Sequence, residues 1–83
     1  MSTSAPSNPR AANVRFDMDC LIVELVDGRV IHVPVEWFPT LRDATEEQRA
    51  GWRLIGHGLG IHWEALDEDL SVRGLLVSER AAA

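Results

Sequence analysis

CLIVELVDGRVIHV, residues 20–33, decides how this chain folds. Two runs of β-branched and aliphatic residues flank Asp27–Gly28, a strong short-range signal for a β-hairpin. The register follows from the faces each turn would create. A two-residue Asp27–Gly28 loop pairs Val23 with His32 and puts that histidine on a face with Leu21, Val23 and Leu25. A three-residue loop, Val26–Asp27–Gly28, pairs Leu25 with Arg29, Val23 with Ile31 and Leu21 with Val33. One face is then wholly apolar (Leu21, Val23, Leu25, Ile31, Val33). The other is mixed (Ile22, Glu24, Val30, His32). A one-residue slip moves every side chain to the opposite face, so the cleaner face decides. We expect the three-residue loop, with Gly28 left-handed in a glycine bulge and no core histidine in the hairpin.

Upstream, Val14–Phe16 reads as a short strand and Asp17–Asp19 as a turn, which completes a three-stranded meander. Pro34 ends the third strand. Pro39 disfavours helix at Phe38, so any helix before it is one turn at most, and a new one begins near Pro39–Thr40. Thr45 and Gln48 form a capping-box pattern, and Glu46 and Glu47 suit a helix N-terminus. A helix from Glu46 to about Arg53 follows, with Gly51 inside it and Trp52 packing it down. Ile61 and Trp63 alternate with His62 as in a half-buried strand, and Gly56, Gly58 and Gly60 mark a bend or a close backbone approach. Residues 70–77 open either as a strand or as a short helix capped at Ser71; we favour the helix. The expected fold is α+β: a small antiparallel sheet, a three-stranded meander plus one further strand, with two or three short helices.

The chain has 83 residues, one domain at most. Residues 1–12 are small, polar and proline-bearing, without the apolar core of a signal peptide, and read as a disordered tail. Residues 13–78 form the domain and 79–83 a frayed end. A domain this small buries only about 60% of its unfolded surface, so it commonly leans on a disulfide, a metal or a second subunit. Cys20 is the single cysteine, which rules out an intrachain disulfide and suits a reducing compartment. No stretch approaches the length of a membrane helix. The expected location is the cytoplasm.

The net charge is −5, and all eight basic residues are arginines. That balance is a poor match for phosphates and a better one for a basic protein. Few groups offer catalytic chemistry. Gly56, Gly58 and Gly60 are spaced G-x-G-x-G, without the Lys-Ser/Thr ending of a phosphate loop. His57 and His62 lie five apart, unlike the short-spaced pairs of zinc sites, and the Asp67–Asp69 run reads as the solvated lead into the last helix. Cys20, followed by Leu, Ile and Val, reads as a buried and unreactive thiol. We expect no catalytic residue, metal or cofactor, and no enzyme.

Trp37, Phe38, Trp52 and Trp63 are the aromatic mass. Three tryptophans exceed what so small a core encloses, and Trp and Arg are enriched at binding hot spots. The candidate partner-binding residues are therefore Trp37, Phe38, Arg42 and Trp52, with Asp67, Glu68 and Asp69 as a charged rim.

The stretch from Val14 to Val77 resembles domain-of-unknown-function family 2442. The likeness rests on Asp27–Gly28–Arg29, Trp37–Phe38–Pro39 with Leu41, Ala44–Thr45 with Arg49, and Gly60–Ile61–His62–Trp63 followed by Leu66–Asp67–Glu68–Asp69. Thr40 stands where relatives often show arginine, and Glu64–Ala65 where proline is common. The resemblance implies a small α+β fold, often encoded beside another very small protein in arrangements proposed to be toxin–antitoxin pairs. It supplies no catalytic residues. The expected function is a small protein-binding module, antitoxin-like, for a small basic protein encoded nearby. It is expected to self-associate, as a dimer. The alternative is a homodimeric DNA-binding regulator.

Overall fold

The hairpin forms in the register that its apolar face demands. The computed structural model describes residues 9–76. Strands β1 (Ala11–Asp17), β2 (Cys20–Leu25) and β3 (Val30–Pro34) make an antiparallel sheet in that order. Leu21 faces Val33 and Val23 faces Ile31, and the Leu25 N–H donates to the Arg29 carbonyl at 2.8 Å. Gly28 has φ +98°, and its N–H donates to the Leu25 carbonyl, which closes the three-residue loop. Leu21, Val23, Leu25, Ile31 and Val33 are all buried, and His32 is exposed. β1 starts at Ala11, three residues before the expected strand, with a register shift between Ala11 and Asn13. Most of the expected N-terminal tail, and all of the expected frayed end, lie outside the described residues.

After Pro34 a single 3-10 turn, Val35–Trp37, precedes α1 (Pro39–Arg42), with proline at its first position. Helix α2 (Glu46–Ala50) opens on the full capping box: the Gln48 N–H donates to the Thr45 hydroxyl, and the Thr45 N–H donates to the Gln48 side chain. It stops at Ala50, short of the expected Arg53. Gly51 is its C-cap rather than an interior residue, and Trp52 opens a strand. Half-buried Trp52 and Leu54 alternate with exposed Arg53 and Ile55. An apolar side chain at the outward position Ile55 hides that period in the sequence.

Two strands beyond the one expected complete a second sheet. β4 (Trp52–Ile55), β5 (Gly60–Trp63) and β6 (Glu68–Ser71) are antiparallel in that order. Asp67–Asp69 therefore do not lead into a helix. Asp67 is a left-handed turn residue at φ 51°, while Glu68 pairs with Trp63 and Asp69 with His62. The cross-strand hydrogen bond between His62 and Asp69 and the seating of Leu70 opposite Ile61 favour a strand for this acidic run. Both alternatives for residues 70–77 occur in succession. The strand ends at Ser71, whose hydroxyl accepts the Gly74 N–H at 2.9 Å, and a helical segment, α3, runs over 72–76.

The inner face of the first sheet and the inward side chains of the second share one core. Ile61 and Trp63 from β5, Leu41 from α1, and Val72 and Leu75 from α3 join the hairpin's apolar face. The corner between β4 and β5 brings the two sheets together. Gly56, His57 and Gly58 are all left-handed, and a Cβ on Gly58 would stand 2.7 Å from the Ala11 carbonyl oxygen. Only glycine permits β1 to approach there.

Two outcomes follow for the hairpin. Nothing lies within 4 Å of a Cβ on Gly28, so Gly28→Val meets no clash and its cost is conformational. It should destabilise by about 1–2 kcal/mol in chemical denaturation. An unchanged midpoint would contradict the turn. The second concerns Asp27. The Arg29 amide, and after it the Arg29 guanidinium, hold the Asp27 carboxyl below the usual carboxylate range. A depressed folded-state pKa contributes stability above the unfolded value, and that stability is lost as pH falls through the folded one. Arg29→Ala should raise the Asp27 midpoint in a carboxyl NMR titration.

Candidate partner-binding site

Arg49 on α2 is where the elements that shape the surface meet. Its Nε donates to the Leu41 carbonyl at 2.9 Å and its Nη2 to the Arg42 carbonyl at 3.0 Å, so a cation closes the C-terminus of α1. Its guanidinium lies 5.3 Å from the Phe16 ring centroid, in cation–π range. Its own carbonyl accepts the indole N–H of fully buried Trp63 at 2.9 Å. Phe16 and Trp63 meet edge to face at 6.3 Å. One residue thus ties together α1, α2, β1 and β5.

Beside this junction runs a half-open groove of about 480 Å³, between β1 and α2. Phe16 and Met18 bound it on the strand side, and Glu46, Arg49 and Trp52 on the helix side. Met18 follows the end of β1, left-handed at φ 56° and 88% exposed. A thioether in that position costs solvation and offers adaptable apolar contact.

The outer face of the second sheet carries a chain of polar and charged side chains. His62, with a side chain only 16% exposed, bonds Asp69 through Nδ1 and stands 3.4 Å from Glu64 through Nε2. Arg53 pairs with the same Glu64 at 3.1 Å. Elsewhere Arg15 pairs with Glu24, Arg29 with Asp27 and Arg42 with Asp43. Arg42 holds the Asp43 carboxyl below its ordinary range by direct hydrogen bonding. Among the described residues, Glu46, Glu47, Asp67 and Glu68 have no such partner. No group of three or more His, Cys, Asp or Glu among them is placed to hold a metal ion. No helix among them is long and apolar enough to cross a membrane.

The candidates read from sequence do not gather at one place. Trp52 lines the groove; Trp37, Phe38 and Arg42 do not. Trp37 is 39% exposed beside α1, while Phe38 packs against the core. Asp67, Glu68 and Asp69 belong to the turn and strand of the second sheet. Trp63 is wholly core. Cys20, expected to be buried, is half-buried because it opens β2 next to the turn. The groove's strand wall went unread. Only Met18, a large apolar residue between two turn-forming aspartates, carried a signal for it; nothing marks Arg49 as its anchor.

These features define a small two-sheet α+β domain with a groove between an edge strand and a short helix. The chain belongs to the family described as protein of unknown function (DUF2442), whose model matches residues 11–81. It is similar to a protein of unknown function from Rhodospirillum rubrum, known from a crystal structure: 36% identity, TM-score 0.77, 87% of this chain and 89% of that one. It is also similar to an uncharacterised protein from Chromobacterium violaceum, known from a solution NMR structure: 26% identity, TM-score 0.72, 86% of this chain and 67% of that one. No curated protein matches the chain.

Arg49→Met keeps the aliphatic stem but removes the cation and both carbonyl bonds. It should cost about 1–3 kcal/mol in urea denaturation, with Arg49→Lys in between. A midpoint equal to that of the native chain would show that the junction carries no weight.

Proposed function

We propose that this chain is a small protein-binding module, antitoxin-like, whose partner is a small basic protein encoded nearby. The observation that carries this reading is the way charge is spent. Arg15, Arg29, Arg42 and Arg53 are neutralised within the chain, and Arg49 is committed to backbone carbonyls and an aromatic face. Among the described residues Glu46, Glu47, Asp67 and Glu68 are left without an ion-pair partner, so part of the net charge of −5 is carried by carboxylates open to a basic partner. Exposed Trp37 and half-buried Trp52 supply aromatic anchors. The acidic balance weighs against a DNA-binding regulator, since phosphate contacts need an excess of Arg or Lys.

Co-expression with the product of the adjacent gene, followed by size exclusion, tests the reading. Co-elution is expected, weakened about tenfold or more in affinity by Asp67→Arg with Glu68→Arg and reduced by salt. Separate elution at micromolar concentration would overturn it.

A further inference from the structure

We infer that the free edge of β1 is a self-recognition site, at which a second copy of this chain adds its own β1 antiparallel, centred on Phe16. The proposal is independent of any hetero-partner. The Leu25 N–H donates to Arg29, so the bonding groups of Leu25, Val23 and Leu21 face β3. By the alternation of an antiparallel ladder, those of Cys20, Ile22 and Glu24 face β1, where they meet Asp17, Arg15 and Asn13. The N–H and C=O of Val14 and Phe16 are then turned away from the sheet. Outside the ladder they have no backbone partner among the described residues. This edge carries no proline, and the groove of about 480 Å³ runs along it.

The side chains select the occupant and its register. Asn13, Arg15 and Asp17 share the outer face of β1. Centring a two-fold pair on Val14 places Asn13 opposite Arg15. Centring it between Val14 and Phe16 places Arg15 opposite its own copy, like against like. Centring it on Phe16 places Arg15 opposite Asp17 of the second copy, twice by symmetry. In that register Phe16 bonds its own counterpart through both outward backbone groups. The 88% exposed Met18 of each copy falls opposite the other's Val14, at the groove. Among the described residues Arg15 gives only its Nε to Glu24, at 3.0 Å, which leaves its terminal nitrogens for a second carboxylate. Asp17 has no ion-pair partner among the described residues. Arg49, the nearby cation, is held by carbonyls and Phe16, with Glu46 in the same groove.

The test is charge exchange in trans, by sedimentation velocity of the full chain across a wide concentration range. The native chain should form a dimer. Arg15→Asp places carboxylates opposite each other and Asp17→Arg places guanidiniums opposite each other. Each variant should self-associate about tenfold or more weakly. An equimolar mixture of the two should form a heterodimer, because both cross-chain pairs become complementary again. A fold defect in either variant cannot produce that recovery. In amide hydrogen exchange, protection of the Phe16 N–H should rise with concentration. A native chain that stays monomeric throughout, variants that dimerise like the native chain, or a mixture that fails to recover association would each overturn the proposal.

Discussion

A buried indole with one N–H to satisfy sets the terms for this small core. Trp63 is fully enclosed, and burying its N–H without an acceptor would cost about 1–3 kcal/mol, a large part of what the ring's burial contributes. The acceptor is the Arg49 carbonyl, which places α2 over β5. Once α2 is there, the Arg49 side chain reaches the carbonyls that end α1 and lies against Phe16 of β1. This hydrogen bond, together with the shared core and the Gly58 contact, sets the relative placement of the two sheets, α1 and α2. α1 and α2, at four and five residues, are far below the length at which a helix holds itself together in water, so they depend on this anchoring.

The hairpin was legible because two independent signals agreed. Asp27–Gly28 marked the turn, and the apolar face chose among its registers. The starts of both helices were equally plain, since proline at the first position and the capping box act through neighbouring residues alone. What sequence reasoning missed was set at a distance. β4 conceals its alternation behind an outward Ile55, and its two inward residues are ordered by pairing with β5. β6 carries carboxylates that a strand would normally lack, kept there by His62 across the ladder. The mixed hairpin face also differs from its simple reading: Ile22 is 1% exposed within one chain, so its apolar surface is already covered without a second copy. Of the candidate site, the aromatic residues were recognisable by type. Their separation over the surface, and the groove wall made by β1, depend on contacts between residues far apart in the sequence.

The surface divides into an inner economy of paired charges and a remainder that is acidic and locally apolar. Arginine suits the first role, because its planar fork can serve a carboxylate and still rest on an aromatic ring. The exposed apolar side chains include Met18, Val26, Val30 and Trp37, all at or beside turns and strand ends.

The left-handed corner at Gly56–Gly58 has a kinetic consequence. Each sheet is a meander of consecutive strands, so its internal contacts are local and quick to form. The seating of Gly58 beneath Ala11 joins the start of the first meander to the middle of the second and closes a long loop of chain. That close approach leaves no room for a side chain at Gly58. By its long sequence separation, this docking contact carries a larger loop-closure cost than any contact within either meander.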